Sequence, residues 1–136
     1  MTVEYLDLAD VIALHDAILR RMGAPFAAIR DEGALDSAIT RAKTAYFYDG
    51  ADVIRQAVLM AIGISQAQAF VDGNKRAAYA ATETFLLMNG YTVTGDPIGL
   101  AKALEEAAIH GGKLDAATDS FERWLRDHVQ LRSETN

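Results

Sequence analysis

Two strongly apolar helical stretches flank a short polar turn, and no other feature limits the fold of this chain as much. The segment from Asp52 to Gln68 carries Val53, Ile54, Ala57, Val58, Met60, Ala61 and Ile64, apolar on too many sides for a surface helix. The stretch from Lys75 to Met88 is rich in alanine and stops at Asn89-Gly90, where glycine supplies the left-handed backbone that ends helices. The pattern predicts two central buried helices joined by Phe70-Val71-Asp72-Gly73-Asn74-Lys75-Arg76.

The remaining elements are expected to wrap this pair. Leu8, Val11, Ile12, Leu14, Ile18 and Leu19 recur at helical spacing, with Asp7 as cap and Gly23 closing the run. Pro25 and Arg30-Asp31-Glu32-Gly33 read as a loop before Leu35, Ala38, Ile39 and Ala42 resume the period, and the aromatic run Tyr46-Phe47-Tyr48 should end that helix. Asp96-Pro97 opens a helix to about His110, because proline suits the first helical position and aspartate before it caps. A last helix, from Asp115 to about Leu131, would bury Phe121, Trp124 and Leu125. Tyr91-Thr92-Val93-Thr94 is β-prone but short and alone, worth at most a minor hairpin. The expectation is an all-α bundle forming a single domain over residues 1–136, with a frayed tail at 132–136.

Composition narrows the classes. A chain of 136 residues with 51% hydrophobic content can bury one core. A formal charge of −6 argues against broad nucleic-acid binding, which draws its affinity from lysine and arginine neutralising phosphates. There is no cysteine, hence no disulfide framework and no thiolate metal site. The N-terminus lacks the basic and apolar regions of a secretory signal, and no stretch approaches the roughly 18 apolar residues of a membrane span. These features suggest a cytoplasmic protein that engages neither membrane nor nucleic acid directly.

The turn is where chemistry is expected. A polar, glycine-containing connection between two helices is ordinarily just a solvated link. Here Lys75 and Arg76 fall in the opening turn of a helix, where the macrodipole disfavours cations by a few tenths of a kcal/mol to about 1 kcal/mol each. An anion would reverse that penalty. Free amides at a helix start, a glycine for close backbone approach and two basic side chains make a phosphate site. Asp72 precedes it, and a carboxylate beside phosphates is the usual holder of Mg²⁺.

The segment from Gln68 to Arg76 resembles the motif of the Fic and death-on-curing family, His-x-Phe-x-(Asp/Glu/Asn)-(Gly/Ala)-Asn-(Gly/Lys)-Arg. Eight of its nine places are compatible. The resemblance extends through residues 29–38 and through Leu87-Met88-Asn89-Gly90-Tyr91, covering roughly residues 5 to 95. It implies ATP and Mg²⁺ as cofactors: Phe70 anchoring the turn, Asp72 coordinating the metal, Gly73 and Asn74 presenting donors to the phosphates, and Lys75 and Arg76 neutralising them. The Asn-Lys-Arg ending is similar to death-on-curing toxins, which phosphorylate a hydroxyl of the translation factor elongation factor Tu. A Gly-Asn-Gly-Arg ending is instead associated with AMP transfer. The resemblance further implies an antitoxin whose flexible segment folds as a helix into a groove near the site.

One departure bears on catalysis. The family's first motif residue is a histidine acting as general base, and this chain has Gln68. An amide does not take up that proton at neutral pH, and general-base assistance is worth about 10²- to 10⁴-fold. Ser65-Gln66-Ala67-Gln68-Ala69 also departs at several places from the family's Asn-His-Pro lead-in. The expectation is therefore an impaired toxin, with an inactive binding module or an AMP-transferring enzyme as the alternatives. His15, His110 and His128 are expected in surface or capping roles, and Arg30, Asp31 and Glu32, which could either approach the site or cap a helix, are read as caps. Thr118 to Arg123 only partly matches the family's inhibitory helix pattern (Ser/Thr)-x-x-x-Glu-(Gly/Asn), so restraint within the chain is not expected.

Overall fold

The structure is a computed structural model that describes residues 2–23, 28–109 and 114–132. Among these, the chain runs through α1 (Leu8–Arg21), α2 (Glu32–Asp49), α3 (Val53–Ala67), α4 (Asn74–Met88), β1 (Tyr91–Val93), α5 (Pro97–Ile109), α6 (Leu114–Asp127) and β2 (Val129–Leu131). The all-α expectation holds, with one small antiparallel ribbon added.

Caps set most of the helix starts. Asp7 and Asp10 form a reciprocal capping box on α1, each carboxylate accepting from the other's backbone N–H at 2.9 Å. Asp31 and Asp52 do the same service singly, accepting from Ala34 and Arg55 amides at 2.9 Å. The Asp31 cap starts α2 at Glu32, earlier than the loop reading of 30–33 allowed. At its far end α2 continues past Tyr46-Phe47-Tyr48 to Asp49 and stops at Gly50, whose φ of +64° is the left-handed conformation. Those three aromatic rings are exposed, so they do not terminate the helix by packing.

The central pair is as expected. On α3, Ile54, Ala57, Val58, Met60, Ala61, Ile62 and Ile64 are buried, because α2, α4, α5 and α6 all pack around it. On α4 the small Ala77, Ala78 and Ala81 are fully buried beside Phe85 and Leu86, letting the two helices approach. Gly63 serves the other side of α3: a Cβ there would come within 3.2 Å of Ala38 on α2. The buried Gln56 is satisfied, accepting from the Tyr5 hydroxyl at 2.8 Å and donating to the Ala51 carbonyl at 3.0 Å.

The last helix and the lone β segment both need correction. α6 ends at Asp127, short of Leu131, and residues 129–131 pair antiparallel with 91–93, Val93 opposite Val129 and Tyr91 opposite Leu131. His128 makes the break. Its Nδ1 donates to the Trp124 carbonyl at 2.7 Å, its ring stacks on Trp124, and its own carbonyl accepts from the Thr94 hydroxyl at 2.9 Å. Val129 and Leu131 are then better placed in a ribbon than on a helix whose buried face has already ended. Arg132 belongs to the same ribbon end, its N–H donating to the Gly90 carbonyl at 2.7 Å, while residues 133–136 of the expected frayed tail lie outside the described residues. Among the described residues no helix is long and apolar enough to cross a membrane.

Candidate functional site

The polar turn is built at the point where α3 stops. Gln68 ends the helix at φ 51°, ψ 40°, the only non-glycine residue with positive φ among those described. A left-handed residue with a Cβ costs about 1–2 kcal/mol. It therefore persists only because its surroundings hold it, and here they do. The Arg30 guanidinium donates to the Gln68 carbonyl through Nη2 at 2.8 Å and Nε at 3.2 Å, charge-assisted bonds to a helix-end carbonyl that would otherwise lack a partner. Beside it the backbone of 28–31 runs along 69–71. The Arg30 and Asp31 amides donate to the Ala69 carbonyl, the Val71 amide donates to Ala28, and Ile29 bridges Phe70.

Phe70 is fully buried and pins the turn, a burial worth about 1.5–3 kcal/mol. Asn74 then closes it: its Oδ1 accepts from the Phe70 amide at 3.0 Å and its Nδ2 donates to the Phe70 carbonyl at 2.9 Å. The Gly73 amide donates to Asp72 Oδ1 at 2.8 Å, and Gly73 has φ +83° at the N-cap of α4. No side chain caps α4, so the amides of its first turn are left to a ligand or to solvent.

Gln68, Val71, Asp72, Gly73, Asn74, Lys75 and Arg76 line one cleft of about 460 Å³. The fold thus brings every sequence-expected site residue to a single place. Their parts differ from the simple expectation in two respects. The Asn74 carboxamide is spent on Phe70 and the Gly73 amide on Asp72, so both act first as turn builders. Lys75 Nζ is 3.1 Å from Glu105 Oε1 on α5, whereas Arg76 is exposed and, among the described residues, forms no ion pair. Gln68 is exposed, its Nε2 donating back to the Ser65 carbonyl at 3.0 Å.

Lys75 and Arg76 also border a second, mostly apolar cleft of about 340 Å³, floored by Ile18, Tyr79, Ala101 and Leu104 with Glu105 at the edge. Burial and then the Glu83 charge push the Tyr79 hydroxyl above its ordinary range, and burial pushes the Glu83 carboxyl up against the opposing Tyr79 hydrogen bond.

Two residues that touch the turn were assigned elsewhere from sequence. His15 was expected at the surface or in a cap, yet it is 3% exposed, stacked on Phe70 at 3.7 Å between centroids, with Nε2 donating to the Asp72 carbonyl at 2.7 Å. A signal was available: Val11, His15 and Leu19 stand four apart, on the buried face of α1. Arg30, a cap in the sequence reading, does cap a helix end, but that of α3: it holds the Gln68 carbonyl beside the cleft, which no sequence pattern announces. Asp31 caps as expected and His128 plays a helix-end part, while His110 lies outside the described residues. Glu122, the acid of the partial inhibitory pattern, is bound to Arg55 at 2.8 Å and Arg126 at 3.1 Å.

Among the described residues no three histidine, cysteine or acidic side chains gather to hold a metal. Asp72 alone fits a hard cation only if phosphate oxygens complete the shell, which is the habit of Mg²⁺. The uncapped helix start beside it, with two basic side chains, fits such phosphates.

The segment that carries the turn is similar to known proteins. The model of the Fic/DOC family matches residues 5–86, a span holding the whole turn and both central helices up to Leu86. The protein named Toxin Doc from Mycolicibacterium smegmatis is 36% identical over 95 residues, covering 68% of this chain and 70% of that one.

Proposed function

The chain belongs to the Fic/DOC family, and from that premise we propose that it is the toxin of a type II toxin–antitoxin pair whose transfer chemistry is crippled at Gln68. The observation that carries the proposal is the clustering of Asp72, Lys75 and Arg76 around an uncapped helix start in one cleft. The relative called Toxin Doc supports the toxin role.

In this reading ATP would supply the phosphoryl group and Mg²⁺ the charge that offsets its phosphates. Asp72 offers the carboxylate for the cation. The amides at the start of α4, with Arg76 and Lys75, receive the phosphates, and Lys75 must leave Glu105 to do so. In this reading the accepting group is a protein hydroxyl, on elongation factor Tu as for the death-on-curing toxins the turn resembles, and the reaction takes place in the cytoplasm. Gln68 stands where that hydroxyl's proton would be received. Its amide is turned to Ser65 and is not basic, so transfer should be slower by about 10²- to 10⁴-fold than with histidine. The neutralising partner would be an antitoxin whose flexible segment folds as a helix against this protein.

Gln68 also favours a second reading, a binding module that keeps the phosphate cradle and performs no chemistry. Lys75, in the place of the second glycine of AMP-transferring relatives, disfavours a third.

Calorimetric titration with ATP in the presence of Mg²⁺ tests the site. The intact chain should bind, and Asp72→Ala should weaken binding chiefly when Mg²⁺ is present. Absence of binding, or an Asp72→Ala variant identical to the parent, would remove the basis for the proposal.

A further inference from the structure

We propose that His15 is a positioning residue of the motif turn, fixing the peptide on which the Asp72 carboxylate is mounted. The inference rests on the reading of that turn as a Mg²⁺-dependent nucleotide site, and concerns which residue outside the motif makes it competent.

One side chain from α1 meets three residues of the turn. The imidazole stacks on Phe70 with an interplanar angle of 13°. Its Nε2–H donates to the Asp72 carbonyl at 2.7 Å, which fixes the tautomer as protonated on Nε2. It also fills the space that a side chain at Gly73 would need, since a Cβ there would come 2.9 Å from Nε2. A buried imidazole N–H needs an acceptor, and the acceptor taken here is the carbonyl of the residue whose carboxylate would hold the cation.

The contact bears on function because of what the Asp72 peptide carries. The peptide joining Asp72 and Gly73 presents its carbonyl to His15 and its N–H to Asp72 Oδ1 at 2.8 Å. Holding the carbonyl holds the plane, and the plane holds the carboxylate. Without the imidazole N–H the peptide is free to rotate, the Gly73 amide turns away and the carboxylate swings from the cleft. Arg76 and Lys75 are placed differently, by the start of α4 and the Asn74 clamp on Phe70. Loss of His15 should therefore damage cation-dependent binding more than phosphate binding itself.

Two variants of the full chain separate the contacts. His15→Phe keeps the stack and removes the donor, whereas His15→Gln returns an N–H at about the reach of Nε2 without the aromatic ring. The readouts are ATP affinity with and without Mg²⁺ and amide hydrogen exchange across 69–76. For His15→Phe, affinity with Mg²⁺ should fall about tenfold, the upper worth of one part-buried hydrogen bond, while metal-free affinity changes by less than about twofold. Exchange at the Gly73 amide should quicken against unchanged α3 amides, and His15→Gln should recover most of both losses. A folded His15→Phe variant with unchanged Mg²⁺ dependence and unchanged Gly73 exchange overturns the proposal. If the parent chain binds no ATP, the functional reading falls, and hydrogen exchange alone then decides for or against His15. If His15→Phe does not fold, His15→Gln decides: retained Mg²⁺ dependence supports the inference, and equal loss with and without Mg²⁺ contradicts it.

Discussion

Asn74 brackets Phe70 with both ends of its carboxamide, accepting from the phenylalanine amide at 3.0 Å and donating to its carbonyl at 2.9 Å. The asparagine thus shapes the backbone that leads into α4 before it can serve any ligand. Asn74→Ala should lose both bonds and cost about 1–3 kcal/mol, seen as a lower urea midpoint with an unchanged slope. Asn74→Asp keeps the acceptor and sets a charge against the Phe70 carbonyl, so it should be no better than alanine.

Gln68 occupies the left-handed region with φ 51°. Glycine at this helix end removes the strain, at the expense of the Ser65 contact and of a looser unfolded chain. Gln68→Gly should accordingly be neutral to about 1 kcal/mol more stable, measured by chemical unfolding. A loss of more than about 1 kcal/mol would mean that the side chain, and not the surrounding hydrogen bonds, holds the turn.

Glu105 competes for Lys75. The pair is exposed on both sides, 60% and 51%, so its contribution to stability is small, within about 0–1 kcal/mol. Glu105→Gln should leave the unfolding midpoint nearly unchanged and raise ATP affinity by up to about fivefold, an effect that fades as salt is added.

Acid should weaken the α3–α6 contact through Asp52. Burial pushes this carboxyl up, but the Arg126 and Arg55 hydrogen bonds and charges outweigh it, and the group titrates below its ordinary range. A carboxyl lowered in the folded state stabilises above its unfolded value of 3.8 and loses that contribution as pH falls through the lower, folded value. Asp52→Asn still caps α3 but has no charge to lose, so its stability should decline less steeply than the parent's below about pH 4. Thermal unfolding from pH 7 down to 3 checks this.

Much of this was legible in sequence because it is local. Helical spacing, aspartate caps and the polar turn between apolar helices each depend on neighbours within a few residues, and they gave α1 to α5 and the cleft. What was missed is long-range. β1 looked solitary because its partner lies at 129–131, beyond two helices, where Val129 and Leu131 also satisfy a helical pattern. Arg30 reaches Gln68 only because 28–31 folds back along 69–71. His15 was the recoverable miss, since its place between Val11 and Leu19 marks it as buried and a buried imidazole needs a partner.

As proposed, this chain is a phosphotransfer toxin with Gln68 in place of its general base. The direct measurement compares a bacterial host expressing this chain with one expressing Gln68→His, with each purified protein then incubated with γ-labelled ATP and host lysate. Only Gln68→His is expected to arrest growth and label a protein, and α-labelled ATP should leave nothing behind. A Gln68→His variant that folds, spares growth and transfers no label would contradict it and leave the binding module in its place.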